Sequence, residues 1–336
     1  MKRAAPILVL ACMLASAMHA QDTDPFFAGR NQMLLDPSRT GFDPGGRFTL
    51  VHQDQWLQLP GSWRADQLNV EWSLRNTKKQ VNSWFSAGLS AAQERQGAVG
   101  STLTSVGFVP AMHLRAGQRS YLSSGMEVRW VNGAFNDGAG EWGSQYDGIR
   151  YDASTTSGEQ WNMSNTSWFE ARVGLSWTVK QETERQRRRA RDLLVVGVSA
   201  DHLGRMIVHE SGAPPPESPM RFTAYILGEA PHEIWDNGYF AGELIGHVQG
   251  PFYTARVNIF AGKHLLNTTR RPEGPALLGF KAGLGYRLQD ALLVNAAIDV
   301  GKATFGVAYG WSVGNPNTMA AGRRTFELML QLRMGS

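Results

Sequence analysis

The sequence predicts an all-β fold, a transmembrane antiparallel β-barrel of about fourteen strands. Three observations point to it. Long segments alternate apolar and polar residues, and the composition is that of many strands and turns. The chain also opens on a secretory signal and then carries no apolar run long enough for a membrane helix.

The alternation is clearest in the last segment, Arg324 to Met334, where Phe326, Leu328, Leu330, Leu332 and Met334 interleave with Glu327, Gln331 and Arg333. Successive side chains on a strand point to opposite sides, so this segment has one greasy and one polar face. The same pattern sets Leu68, Val70, Trp72 and Leu74 against Asn69, Glu71, Ser73 and Arg75. It sets Met126, Val128 and Trp130 against Glu127 and Arg129, and Phe169, Ala171, Val173, Leu175 and Trp177 against Glu170, Arg172, Gly174 and Ser176. Read in order, the strands fall near residues 47–58, 64–75, 82–93, 100–114, 118–132, 166–178, 192–203, 219–229, 236–249, 252–264, 276–287, 290–300, 302–313 and 322–335. Each is about as long as the 9 to 11 residues a tilted strand needs to cross a bilayer, whereas globular strands average about five or six. An even count returns both termini to one side. Closure removes the open edges that lipid cannot satisfy.

Composition agrees with this. Of 336 residues 18% are charged and 10% aromatic, with 37 Gly and 11 Trp. A mean hydropathy of -0.29 suits a barrel, which shows apolar side chains only at alternate positions. In a soluble sandwich the charged face would lie outside; in a membrane barrel it lines the water-filled interior, and periodicity alone does not choose. The strand lengths and number help to choose, as does the opening stretch "MKRAAPILVLACMLASAMHA", with Lys2 and Arg3, an apolar run and small residues before a cleavage point after Ala20, or after Ala17 as the runner-up. The only cysteine, Cys12, lies in that stretch, so the processed chain has no thiol. The domain reading is therefore a signal peptide over residues 1–20 and a barrel over 21–336, with a short periplasmic segment at 21–46.

With the N-terminus periplasmic, the long connection at about 133–165 faces outward. The segments around Asn76 to Lys79, Arg115 to Arg119, Lys180 to Asp192 and His264 to Arg271 face inward, and several are basic. The formal net charge of +4 is thus a surface property that suits an acidic periplasmic partner; no nucleic-acid motif accompanies it. Arg187, Arg188 and Arg189 are the densest part of that face. The eight His show no zinc spacing, and no nucleophile elbow, P-loop or dinucleotide fingerprint is present, so no catalytic residue, metal or cofactor is assigned and the chain does not read as an enzyme. Trp56, Trp72, Trp84, Trp130 and Trp177 are expected at the interfacial aromatic girdle.

The opening "QDTDPFFAGRNQMLLDPSRTG", with Leu35, Asp36, Pro37, Ser38 and Gly41, resembles the mature start of the PorP/SprF family of type IX secretion system membrane proteins. Gln55 and Trp56 in "HQDQWLQLPGSW" match its Gln-Trp pair, and Trp142, Gln145, Tyr146 and Asp147 match a segment of its long loop. "VGVSADHL", "GFKAGLGYRLQDALLV" and "FELMLQLRM" follow in the family's order. Asp36 stands where the family usually has Asn, and Gly310 where it commonly has Asp. The resemblance implies an outer-membrane barrel of the secretion and gliding machinery, embedded in outer-membrane lipid. Its implied partners are periplasmic ring components or the C-terminal domains of secreted surface proteins. Asp36, Pro37, Gln55, Trp56, Trp142, Gln145, Tyr146 and Arg187 to Arg189 are the candidate partner-binding residues. A porin or small-solute transporter lined by Glu71, Arg75, Glu127 and Arg129 is the alternative, and an enzyme built in a barrel the third reading.

Overall fold

The alternating segments pair in sequence order. In a computed structural model, β1 (Gly46–Gln55), β2 (Trp63–Ser73), β3 (Ser83–Gln96), β4 (Ser101–Arg115), β5 (Ser120–Ala134), β6 (Thr166–Gln181) and β7 (Arg191–His209) form half of a closed barrel. The other half is β8 (Arg221–His232), β9 (Gly238–Gln249), β10 (Phe252–Leu266), β11 (Leu278–Arg287), β12 (Ala291–Val300), β13 (Ala303–Ser312) and β14 (Arg324–Met334). The structure describes residues 24–57, 61–76, 81–97, 101–134, 143–146, 148–152, 154–156, 166–181, 191–209, 218–232, 238–266, 278–288, 290–313 and 323–335. No helix among them is long and apolar enough to cross a membrane.

The terminal strand closes the barrel by pairing antiparallel with β1 from Gly46↔Met334 to Gln55↔Thr325. Its alternation follows from that position. Thr325, Glu327, Met329 and Gln331 are buried toward the lumen, while Leu328 and Leu332 are exposed on the outer wall. The same phase holds around the barrel, where Leu68, Val70 and Trp72 lie outside and Gln67, Asn69 and Glu71 inside. Trp72, Trp130 and Trp177 are exposed outside, as an interfacial girdle requires. Trp84 departs from that expectation: it sits on the lumenal phase of β3 and is buried.

We call the end at which β1 begins and β14 finishes the base, and the opposite end the rim. The segment between residue 24 and β1 runs through the lumen. From Asp24 to Gly45 the chain is largely buried, with a one-turn helix α1 (Gln32–Leu35) and a 3-10 turn at Pro37–Arg39. Residues 1–23, including both cleavage points, lie outside the described residues.

Candidate functional site: the lumenal plug and the vestibule above it

The plug starts at the base, where it leaves β1. Phe42 packs among Trp84, Tyr121 and His113 with ring centroids at 5.8, 5.7 and 5.4 Å. Arg39 and Lys180 lie over its ring at 4.4 and 4.6 Å, so the aromatic face meets two cations. Asp43 accepts from Lys180 Nζ at 3.1 Å and from an Arg47 guanidinium nitrogen at 2.7 Å. Gly41 has φ 56° and donates its N–H to Glu71 Oε2 at 2.6 Å. A Cβ there would overlap Ser86 and the Trp72 carbonyl, so both conformation and space call for glycine. Buried His113 faces the Thr40 carbonyl oxygen with Nε2 at 3.0 Å and Ser123 with Nδ1 at 2.8 Å.

At mid-lumen the chain turns at Asp36, whose side chain accepts from the Ser38 N–H at 2.7 Å and the Tyr225 hydroxyl at 2.8 Å. The first contact is a helix cap across the 3-10 turn. Ser38 reaches Ser176 at 2.7 Å, and Arg39 reaches Thr178. Arg172 donates to the carbonyls of Met33 and Leu34, and Ser199 to that of Leu35 at 3.2 Å, satisfying the open end of α1.

The arm then rises toward the rim. Arg30 reaches back to Asp299, at the base end of β12, at 3.3 Å, and Asn31 accepts from Asn69 at 3.0 Å. The N–H groups of Phe26 and Phe27 donate to the two oxygens of fully buried Glu327 at 2.6 and 2.9 Å. Gln53 donates to the same carboxylate at 2.8 Å. Asp24, the first described residue, faces Arg256 at 3.0 Å, His247 at 3.4 Å and Arg287 at 3.8 Å.

The wall is carved for this path. On lumenal positions, a Cβ at Gly125 would strike the Pro37 carbonyl and one at Gly174 the Asp36 carboxylate. Gly88 lies under Met33 and Thr40, Gly306 under Phe27 and Gly310 under Phe26. Strand glycines of this kind mark a close approach.

Three plug carboxylates are tuned differently. Burial would raise Asp24, but the Arg256 guanidinium, with His247 and Arg287, outweighs it and holds the carboxyl below its ordinary range. Asp43 is likewise held down against burial, by Lys180, Arg47 and Arg39. At Asp36 burial wins and raises the carboxyl, against the hydrogen bonds from Ser38 and Tyr225.

Above the plug, toward the rim, lies a cavity of about 240 Å³. Asp24, Pro25, Ala28, Leu34 and Leu35 make its floor, and Arg129, Trp168, Glu170, His202, Arg205 and Arg221 are on its wall. The wall is ion-paired: Arg129 meets Glu170, Arg172 meets Asp201, and His202 Nδ1 lies 3.1 Å from Glu170. Arg205 stacks over Trp168 at 4.5 Å. Two successive residues, Asp201 and His202, reach these inner partners because β7 is bulged there. Its register to β6 skips between Leu203 and Ala200 and between Arg205 and Leu203, and His202 has φ 59°. This bulge also carries β7 to His209, well past the expected end at 203. No group of metal-ligating side chains occurs among the described residues.

The sequence-derived candidates fall in separate places. Asp36 and Pro37 are in the plug and find their contacts inside the barrel. Gln55 is buried at the rim end of β1, where its amide donates to Gln53. Trp56 follows with φ 62°, edge-on to Trp63 at 6.0 Å and under Arg323 at 5.4 Å. Gln145 donates to the Thr155 carbonyl at 2.9 Å, and the Tyr146 ring lies tilted against that of Tyr151 at 5.6 Å, both in the long rim connection. Trp142 and Arg187 to Arg189 lie outside the described residues. Sequence reasoning passed over Glu327, Asp24 and Tyr225, although an acid on the lumenal phase of the last strand was in view.

A closed fourteen-stranded barrel with an apolar outer wall and a polar, occupied lumen defines an outer-membrane barrel protein. The family model for the type IX secretion system membrane protein PorP/SprF matches residues 19–332, and the chain belongs to that family. Its place is the outer membrane. Among solved structures it is similar to the TodX deltaS2S3 mutant monoaromatic hydrocarbon channel, with a TM-score of 0.52 and 12% identity over 90% of this chain and 94% of that one. The Pseudomonas putida toluene transporter TodX gives a TM-score of 0.49 and 10% identity over 91% and 94%. At 12% identity the first of these likenesses shows a shared fold alone. Among curated proteins none matches the chain.

Proposed function

We propose that this barrel is a docking component of the type IX secretion and gliding machinery that binds protein at its two ends and does not conduct solute. The observation that carries the reading is the plug: one segment from Asp24 to Gly45 bonds to strands all around the lumen. A transport path lined by Glu71, Glu127 and Arg129 would have to pass groups already engaged, since Glu71 accepts from Gly41 and Glu127 pairs with Arg172. On this reading the base is periplasmic. Arg75, Arg115, Lys302 and Arg333 stand at its strand ends, and the β6 to β7 connection, which in sequence carries Arg187 to Arg189, leaves from the same end, a basic face for an acidic ring component. The rim, with Trp56, Gln145 and Tyr146, faces outward toward secreted surface proteins or their C-terminal domains. Residues 1–20 act as a cleaved signal peptide.

The experiment joins planar-bilayer conductance of the purified protein to export in a deletion strain. Absence of discrete channels together with loss of surface-protein export supports docking. Discrete channels with export intact support the porin or transporter alternative instead.

A further inference from the structure

The apolar outer wall is broken in one sector. Rimward of Leu50 and Leu68, the outward positions of β1 and β2 are taken by His52, Asp54, Arg64 and Asp66. His52 stands directly opposite Asp66, and Asp54 opposite Arg64. The four form one network: His52 Nδ1 lies 2.6 Å from Asp66 and its Nε2 3.2 Å from Asp54, while Arg64 donates to Asp54 at 2.9 Å. β1 is laddered on both sides, to β14 and β2, and β2 also to β3, so the backbone here is satisfied. What faces outward is side-chain charge, with Arg64 and Asp66 51 and 50% exposed.

The network is level with wall that is apolar elsewhere. Across the ladder His52 is opposite Leu328 and Asp54 opposite Phe326, and these are opposite Val307 and Tyr309. Trp311, an exposed aromatic of the girdle kind, comes one outward position nearer the rim than Tyr309. On the far wall Ile259, Leu284 and Val294 are exposed and apolar, as lipid requires. Charge on a lipid-facing wall is costly in a depth-dependent way, and acyl chains offer it no hydrogen bond. A lipid phosphate would suit Arg64 but would meet two carboxylates. The sector suits a copy of itself, because it carries two acids and two bases, each acid level with a base.

We propose that a second copy of this chain covers this sector, side by side in the membrane about a two-fold axis along the membrane normal at the β1–β2 seam. Such an axis lays β1 of each copy on β2 of the other. Asp54 and Asp66 then face Arg64 and His52 of the second copy at the levels the ladder already sets. Beside them the outward Ala87 and Ala91 of β3 leave room for Phe326 and Leu328 of β14. The proposal rests on the membrane placement of the wall and is independent of the docking function.

The test uses the full-length protein in outer membranes, with Leu68→Cys on the seam and a short bis-maleimide as cross-linker. Most chains should migrate as cross-linked pairs, and Leu284→Cys on the far wall should give none. Asp54→Lys with Asp66→Lys makes the sector basic; His52→Asp with Arg64→Asp makes it acidic. Each double substitution, carried with Leu68→Cys and checked for an intact barrel by heat-modifiable gel mobility, should lower the cross-linked fraction at least about tenfold, because like charges then face each other. Basic and acidic chains expressed together should cross-link to one another, which a merely damaged wall would not do. Cross-linking of Leu68→Cys to a different protein overturns the proposal. So does a chain that stays single: a thiol reached only by a membrane-soluble maleimide puts lipid on the sector, and one reached by a water-soluble maleimide puts the sector above the bilayer. Basic and acidic chains that fold but do not cross-link together overturn it as well.

Discussion

The two halves of the lumen are built from the same strands yet are filled differently. Toward the base the plug is seated on glycines, with Gly125 under Pro37 and Gly174 under Asp36, and the strands give it short neutral bonds such as Ser38 to Ser176. Toward the rim the same strands carry long charged side chains that pair with one another along the wall of a cavity, as Arg129 does with Glu170. The difference teaches how one alternating pattern makes both a seal and a chamber. Where the inward residue is glycine or serine, backbone can approach; where it is Arg, Glu or His, the side chains hold the wall apart and satisfy each other.

The strongest way to erase that contrast is Gly174→Val. The added carbons overlap the Asp36 carboxylate and Pro37, so the plug leaves its seat, and we expect discrete conductance in planar bilayers where the parent protein gives none. Asp24→Ala comes next. It leaves Arg256, His247 and Arg287 buried around a missing carboxylate, a loss of about 3 to 5 kcal/mol for a broken buried pair. The plug's outer arm should then be cut by protease added to detergent-solubilised protein, while the barrel stays intact.

Acid separates the ends of the plug from its middle. Asp24 and Asp43 are held below their ordinary range, so their stabilisation is present above the unfolded carboxylate value of about 3.9 and is lost as pH falls below it. Asp36 is raised, so the folded state prefers its protonated form. Its contribution is fully present below about 3.9 and is lost as pH rises through its folded value. Exchange of the amides of Phe26, Phe27 and Gly41 to Asp43 should therefore quicken below about pH 4, with those of Ser38 to Thr40 lagging behind. A smaller effect is expected from Tyr225→Phe, which removes one hydrogen bond to Asp36, about 1 to 1.5 kcal/mol in unfolding free energy. Asp36→Asn should be tolerated, because an amide oxygen still accepts from Ser38 and an amide nitrogen can donate to Tyr225.

The barrel was legible because its cause is local: a strand between lipid and water must alternate, and Leu328 beside Glu327 shows it within two residues. Fourteen strands, their order and the closing role of the last one follow from that rule. The plug was not legible, because Asp24 to Gly45 has no period of its own and its partners are hundreds of positions away, as Phe26 is from Glu327. Its trace was present in glycines on the lumenal phase of otherwise polar strands, Gly125 and Gly174 among them. Trp84 was misplaced for a related reason, since an aromatic on a barrel strand reads as girdle until a partner such as Phe42 is known to lie inside. The bulge at His202 breaks the alternation itself, so period-based reading ended β7 too early.

A disulfide trap tests the seated plug most directly, and Cys12, within the opening twenty residues, is the sequence's only native cysteine. Ser38→Cys with Ser176→Cys places two thiols where the hydroxyl oxygens now lie 2.7 Å apart. Mild oxidation should join them in nearly every molecule, with neither single variant forming a dimer. Two free thiols that both react with a water-soluble maleimide in the folded barrel would contradict the account.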